Sequence, residues 1–260
     1  MDLRASLALL GLIAAPGFSF GAPLPPPRPE DLPQDPPQGV VVVEPPPQPP
    51  PRPSDLPYAP QPALTSIGPF APVSGADEAA CDALLADRGV IADRAAPVVG
   101  VGGCGIAAPV TLRAVLTSDR RRIEIAPPPV MRCELAAQIA RWIVQDILPL
   151  AEARGARVIR IANADAYDCR GRNRQASAKL SEHGKGDALD MRAIEMSDGR
   201  SILFAGRSND MDLAVGLRTS ACARFSTVLG PGSDGFHEDH VHVDLQARSN
   251  GYRICQWNVR

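Results

Sequence analysis

The four histidines of this chain lie in two short segments that also carry other metal-binding residue types. His237, His240 and His242 fall within six residues, and His183 lies seven residues before Asp190. Zinc prefers neutral imidazole and carboxylate ligands, and catalytic zinc sites keep one position open for water. Isolated histidines are more often ordinary surface or core residues, so the clustering predicts a bound divalent metal ion.

The spacing within each segment suits convergence on a single ion. Alternate residues of a strand project to one face, so His242 can bind the metal while His240 lies beside the open position. Two glycines between His183 and Asp190 allow a sharp turn that brings these two side chains together. Two histidines and one aspartate around zinc would lower the pKa of its bound water towards about 7, which makes hydroxide available.

Both segments resemble motifs of a known group of enzymes. The first is similar to the first zinc motif of the D-Ala-D-Ala metallopeptidases, which include murein endopeptidases and share their fold with the hedgehog signalling domain. Its matching residues are Ser181, His183, Gly186, Ala188 and Asp190. The second segment looks like the second motif as it occurs in the penicillin-insensitive murein endopeptidases. Together with the proline-rich leader, the chain from about residue 78 to 256 resembles the bacterial extensin-like C-terminal domain family.

The resemblance implies a role for each clustered residue. It implies one zinc ion with three ligands: His183, Asp190 and His242. It implies His240 as the group that transfers the proton or stabilises the oxyanion. Many relatives carry a glutamate three residues before the last ligand, where this chain has Asp239. The general base therefore stays open among His240, Glu238 and His237, with His240 favoured and Glu238 second.

Further residues are expected around the zinc ion and the substrate. The segment ending in Arg170 resembles a Gly-Tyr-Arg segment of the family, which implies that Arg170 holds a substrate carboxylate or stabilises the oxyanion. Two additional residues precede this arginine, so Arg172 and Arg174 remain alternatives. Asp244 is predicted to orient a histidine rather than to bind metal. Ser181 is predicted to be a turn or cap residue.

The elements that must position these residues are predicted from hydrophobic periodicity. Apolar residues at three- and four-residue spacing predict a helix over residues 132–153, with Pro149 bending or shortening its last turn. Further helices are predicted over 76–86 and 209–225. Strands are expected at 115–116, 123–125, 157–161, 188–191, 201–204 and 241–245, and a loop at 99–105. This order predicts an α+β domain with helices packed on a mainly antiparallel sheet.

Six cysteines all fall within the predicted folded domain, at positions 81, 104, 133, 169, 222 and 255. An even number in an exported chain predicts disulfide bonds, and the spacing does not match a structural zinc knuckle. The sequence leaves the connectivity open, and Cys222 with Cys255 is the one pair that we expect.

The N-terminal part of the chain has a different composition. Residues 1–22 combine one arginine with a short apolar run and small residues, which predicts a secretory signal peptide rather than a membrane anchor. Twenty of the 28 prolines lie in the segment 23–75, which predicts a disordered linker able to bind other envelope proteins. The folded domain is therefore predicted to span 76–260. A net charge of −2 gives no electrostatic case for nucleic-acid binding.

The resemblance, together with the predicted signal peptide, implies a periplasmic or secreted zinc metallopeptidase that acts on peptidoglycan peptides, without stable membrane insertion after signal cleavage. The alternative is a non-catalytic module that binds the cell wall or a protein and keeps zinc for stability. The sequence does not select the bond cleaved, which could be a cross-link or a terminal D-alanine.

Overall fold

A computed structural model describes residues 75–175, 177–205 and 210–259. The predicted signal peptide and all but the last residue of the predicted linker lie outside these ranges. Within them, none of the helices has the length and apolar character that a membrane crossing requires.

The described residues form four α-helices and twelve strands. The helices are α1 (Gly75–Asp87), α2 (Cys133–Trp142), α3 (Leu148–Glu152) and α4 (Met211–Arg224). The first six strands are β1 (Val90–Arg94), β2 (Val98–Val99), β3 (Gly105–Ile106), β4 (Pro109–Leu116), β5 (Arg122–Ala126) and β6 (Val130–Arg132). The others are β7 (Val158–Asp165), β8 (Ala188–Met196), β9 (Ser201–Leu203), β10 (Thr227–Leu229), β11 (Val241–Asp244) and β12 (Ile254–Gln256).

Ten of these strands form one mixed sheet, in the order β1-β4-β5-β7-β8-β11-β10-β12, with β6 paired to β4 and β9 to β8. The β5–β7 and β10–β12 pairs are parallel, and all other pairs of the sheet are antiparallel. The predicted α+β class with a mainly antiparallel sheet is therefore confirmed. The predicted loop at 99–105 is partly wrong, because its ends pair as the small hairpin β2–β3.

The helices pack around a core centred on Trp142, which is fully buried. Its ring lies 5.3 Å from that of Phe225 in an edge-on arrangement, and its indole N–H donates to Ser220 of α4 at 2.9 Å. Val241 and Val243 of β11 also belong to this core. Because neighbouring strand residues point to opposite faces, His242 and Asp244 must face away from the helices.

The long helix predicted over 132–153 is confirmed, but Pro149 acts differently from the prediction. The helix widens into a π-helical turn at Ile143–Ile147 and then continues as α3, with Pro149 in its first turn. Proline lacks an N–H and crowds the carbonyl four residues earlier, and a wider turn accommodates both effects without ending the helix.

All six cysteines are paired, in the disulfides Cys81–Cys133, Cys104–Cys169 and Cys222–Cys255. The expected Cys222–Cys255 bond is confirmed. It links α4 to β12, and Cys104–Cys169 links the loop that carries Arg170 to the segment at β3.

Candidate metal centre

Two of the predicted ligands lie next to each other on adjacent strands. His242 of β11 pairs directly with Asp190 of β8 in the antiparallel register, on the face away from the helical core. His183 lies just before β8, in a short 3-10 turn at Glu182–Lys185. Ser181 caps this turn, because its side chain accepts a hydrogen bond from the His183 backbone N–H at 3.4 Å, which confirms its predicted role.

The turn that carries His183 depends on glycine at its end. Gly186 has φ +67°, in the left-handed region that favours glycine, and its backbone N–H donates to the His183 carbonyl. A Cβ at this position would also collide with the side chain of Ile106. The predicted sharp reversal between His183 and Asp190 is therefore present, and it places the first ligand over the strand that carries the second.

The three predicted ligands form the one group of His, Cys, Asp and Glu side chains in the described residues that could hold a metal ion. His183 Nε2 lies 3.2 Å from Asp190 Oδ1 and 3.0 Å from His242 Nδ1. His242 Nδ1 lies 2.9 Å from Asp190 Oδ1. In a tetrahedral zinc site with bonds of about 2.0 Å, neighbouring ligand atoms are about 3.3 Å apart. The triangle formed by these three atoms is close to that size, so the donor set fits a zinc ion.

The outer nitrogen of each histidine has its own partner. His183 Nδ1 donates to the Ala166 carbonyl, and His242 Nε2 donates to Asp244 Oδ2 at 3.3 Å. These contacts fix the tautomers, because each neutral ring then carries its lone pair on the nitrogen that faces the other ligands. Asp244 thus lies where a residue that orients a ligand must lie.

Burial and charge favour a cation at the centre of this group. His183, Asp190 and His242 are only 1%, 4% and 7% exposed. Burial lowers the pKa of His242, but hydrogen bonds and charges from Asp190 and Asp244 outweigh burial and raise it to about 9. Burial in turn raises the pKa of Asp190, but His183 and then His242 hold it well below its usual range. The carboxylates therefore attract either a proton or a metal ion.

His240 and His237 lie next to this group. His240 Nε2 is 3.4 Å from Asp190 Oδ2, and its Nδ1 is 2.8 Å from Asp239 Oδ1. His237 Nδ1 donates to Asp234 Oδ1 at 2.7 Å. Burial lowers the pKa of His237, against the raising effect of Asp234, so its ring is neutral at pH 7. The four histidine rings form a continuous cluster, with neighbouring centroids 4.9, 5.6 and 5.1 Å apart.

Glu238 is placed differently from the other base candidates. Its side chain is exposed, and Oε1 accepts a hydrogen bond from the Gly232 backbone N–H at 2.8 Å. Glu238 would share a strand face with His240 and His242 if it lay in β11, but this strand begins at Val241, so Glu238 lies in the loop before it. Glu238 nevertheless lines a cleft that also contains His240.

Arg170 lies beside Asp190, but carboxylates surround it. Its Nε donates to Asp168 at 3.0 Å and its Nη2 to Asp165 at 3.3 Å, with Asp190 Oδ2 4.0 Å away. The alternative Arg174 also pairs with Asp165 and Asp168. Asp165 ends β7, and sequence reasoning did not single it out. Its signal was weak, since a lone aspartate after a strand has no motif of its own.

Two clefts reach the candidate metal site and share Arg170, Asn173 and His237. The first, which we call the strand-side cleft, has a volume of about 350 Å³. It is lined by His183 and His242 and by residues of β10 and β12: Thr227, Leu229, Ile254 and Gln256.

The second, which we call the loop-side cleft, has a volume of about 600 Å³ and is lined by Asp190, His240, Glu238 and neighbouring residues of the loop before β11. All three base candidates, His240, Glu238 and His237, therefore face the same space as Asp190. A substrate bound across the site would have room on either side of it.

Comparison with protein families identifies the domain. The family model described as "Extensin-like protein C-terminus" matches residues 79–256, so the chain belongs to this family. Searches of curated proteins and of solved structures gave no match. The predicted resemblance to the extensin-like C-terminal domain family is therefore confirmed, and the likeness to the D-Ala-D-Ala metallopeptidases stays a prediction.

Proposed function

We propose that this protein is a zinc-dependent peptidase that acts on the peptides of peptidoglycan in the periplasm or outside the cell. The observation that carries the proposal is the buried triangle of three facing donor atoms, from His183, Asp190 and His242. The outer ring nitrogens of His183 and His242 are held by Ala166 and Asp244, so the lone pairs of their inner nitrogens face Asp190 and each other. This arrangement fits a zinc ion, and two clefts give a substrate access to it.

When bound, zinc supplies a Lewis acid for the peptide carbonyl and lowers the pKa of a nearby water. His240 is the residue that moves the proton. With Nδ1–H donating to Asp239, its Nε2 can accept a proton from the attacking water and pass it to the leaving amine nitrogen. Asp239 stabilises the imidazolium formed in between, as a carboxylate partner does for other catalytic histidines.

This assignment gives a role to Asp239, which stands where many of the metallopeptidases that this chain resembles carry a glutamate. Asp239 acts through His240, and the hydrogen bond to His240 lowers the pKa of Asp239, so it stays ionised at neutral pH. His237 and Glu238 remain alternatives as the base. His237 is neutral and near the site, whereas Glu238 is engaged with the Gly232 backbone.

Arg170 is assigned a positioning role in this proposal. Its charge is shared among Asp165, Asp168 and Asp190, which leaves little of it to attract a substrate carboxylate. Its Nη2 lies 4.0 Å from the second carboxylate oxygen of Asp190, and this charge favours the orientation in which the first oxygen faces the histidines.

The substrate class rests on the resemblance of both histidine segments to murein peptidase motifs and on the predicted export of the chain. The decisive experiment is mass analysis of defined muropeptides incubated with the zinc-loaded protein. We expect new fragments that disappear with chelator, and the mass of each fragment identifies the bond cleaved.

The matched control is His240→Ala, which should bind zinc at one equivalent but release no fragments. If the wild-type protein binds zinc and releases nothing from any muropeptide, the peptidase proposal is wrong. Retained binding to purified murein would then favour the alternative, a zinc-stabilised binding module.

A further inference from the structure

The strand-side cleft extends from the metal site along the sheet towards its β12 edge. His242 pairs with Leu229 of β10, and Leu229 pairs with Gln256 of β12. A second row, one step along the strands, runs from Asp244 to Thr227. These rows form the floor of the cleft, so a chain bound at the metal site can continue along them.

Two arginines of this cleft have no acidic partner. Its acidic residues Glu182, Asp234 and Asp244 are each engaged by another side chain within 3.3 Å: Lys185, the neutral ring of His237 and His242, respectively. Of its three arginines, Arg170 is paired with carboxylates. No carboxylate of the described residues forms an ion pair with Arg172 or Arg248.

The loop-side cleft differs in this respect. Its arginines Arg170, Arg174 and Arg192 each lie within 4.0 Å of a carboxylate. Among the described residues, an added anion would therefore find arginines without a carboxylate partner in the strand-side cleft only.

Arg248 is the better placed of the two unpaired arginines, because it is half-buried and held in position. Its guanidinium donates to the Ser226 carbonyl at 2.8 Å and to Thr227 Oγ1 and Gln246 Oε1, each at 2.5 Å. All three acceptors are neutral oxygens. They orient the group without neutralising it, which is the arrangement expected for an arginine that binds a carboxylate from outside.

The position of Thr227 gives an approximate distance from the Arg248 guanidinium to the metal site. Thr227 pairs with Asp244, so it is diagonal to His242 across the β10–β11 pair. Diagonal neighbours in a sheet are about 7–8 Å apart. The guanidinium bonded to Thr227 therefore lies on the order of 7–10 Å from the metal ligand. An extended peptide covers that distance in about two to three residues.

We propose that Arg248, assisted by the exposed Arg172, forms a subsite for a carboxylate of the substrate two to three residues from the peptide bond at the metal centre. This inference rests on the proposed peptidase function and narrows its substrate class. A terminal single residue would place its carboxylate about one residue from the bond, too close for Arg248. The geometry thus favours peptides that continue beyond the cleaved bond and carry a carboxylate there.

The test compares N-acetylated alanine tetrapeptides, in the D and the L configuration, that end in either a carboxylate or a carboxamide. Their binding is measured by isothermal titration to the zinc-loaded His240→Ala protein, so that turnover does not consume them. We expect at least one configuration to bind about tenfold more tightly as the carboxylate than as the carboxamide, because hydrogen bonds to a charged group are the strong ones. Equal binding of the two forms in both configurations would overturn the proposal.

Adding Arg248→Gln to the His240→Ala protein should reduce the preference for the carboxylate peptide over the carboxamide peptide to less than about twofold. The matched control is Arg253→Gln, since Arg253 is exposed, donates to the Cys222 and Ala223 carbonyls and does not line the cleft. A full preference retained in Arg248→Gln would refute the assignment. If that variant fails to fold, Arg172→Gln replaces it, because the exposed Arg172 forms no side-chain hydrogen bond to the described residues and its loss should also weaken the preference.

The failure of this subsite and the failure of the peptidase proposal give different results. Carboxylate preference without cleavage of any muropeptide leaves the subsite standing and removes the peptidase. Cleavage of muropeptides without carboxylate preference leaves the peptidase standing and removes the subsite.

Discussion

Zinc binding should release one proton from His242 near neutral pH, because the metal-free site holds one there, and a zinc-bound water adds to the total release as it ionises. Asp190 and Asp244 raise the pKa of His242 to about 9. With that value, about 97% of the His242 rings carry the extra proton at pH 7.5. A metal ion that binds at Nδ1 must displace it.

The energetic consequence follows from the same pKa. Displacing the proton at pH 7.5 costs about 1.5 pKa units, or about 2 kcal/mol, so zinc should bind about 30-fold more weakly than above pH 9. The His242 proton should therefore contribute a rise of about tenfold in apparent affinity per pH unit between about pH 7 and 9, and this contribution should then level off.

The assay is isothermal titration of zinc into the metal-free protein at pH 7.5, in buffers with different enthalpies of ionisation. The slope of the observed enthalpy against the buffer enthalpy gives the number of protons released. A slope near zero would refute the reasoning, because it would mean that the facing nitrogens, 3.0 Å apart, hold no proton.

Asp244→Asn offers a sharp variant for this measurement. An asparagine oxygen can still accept the hydrogen bond from His242 Nε2 and keep the tautomer, but it removes a charge that raises the pKa of that ring. Proton release at pH 7.5 should fall. The control is Asp198→Asn, since Asp198 lies in an exposed turn where it pairs with Arg200, and its release should match the wild type.

Three further predictions follow. Chelation should lower the melting temperature by about 10 °C, because zinc at about 1,000 times its Kd contributes about 4 kcal/mol, and an unchanged calorimetric melting curve would count against a bound metal. Gly186→Ala should lower the free energy of unfolding in urea by about 2 kcal/mol or more, because alanine is strained in the left-handed region and its Cβ would collide with Ile106. The control is Gly199→Ala, which places alanine in the same backbone region with nothing within 4 Å of its Cβ, so its cost should be smaller. Burial raises the folded-state pKa of Asp187 to about 6, so its ionisation should reduce stability as the pH rises from about 4 to 6. Asp187→Asn should therefore raise the free energy of unfolding by on the order of 1–3 kcal/mol at pH 7 but not at pH 4, and a uniform change across this range would contradict the assignment.

The parts of the site that sequence predicts well are those encoded locally. His183 and Asp190 lie on one short segment whose turn needs a glycine, and the alternating residues around His242 indicate a strand with one polar face. The long helix through residues 133–152 was also predictable from the sequence, because its apolar stripe covers several turns.

The strand-side cleft was not predictable in the same way. Its floor uses β10 and β12, which have three residues each and pair in parallel across 27 positions. Segments this short carry almost no periodic signal, and their pairing is set by neighbouring strands and the Cys222–Cys255 bond. Arg248 therefore had no visible role until the strands placed Thr227 beside it.

The histidine pair itself explains why the site should not remain without a cation. Two neutral imidazoles whose lone pairs face each other at 3.0 Å repel one another, and the adjacent Asp190 carboxylate adds further negative charge. Burial makes this repulsion more costly than it would be in water. A proton on His242 relieves it in the metal-free protein, and a metal ion relieves it for all three donors at once. The same carboxylates that stabilise the protonated form thus make zinc compete with a proton near neutral pH, and they also hold the ligand geometry that a zinc ion requires.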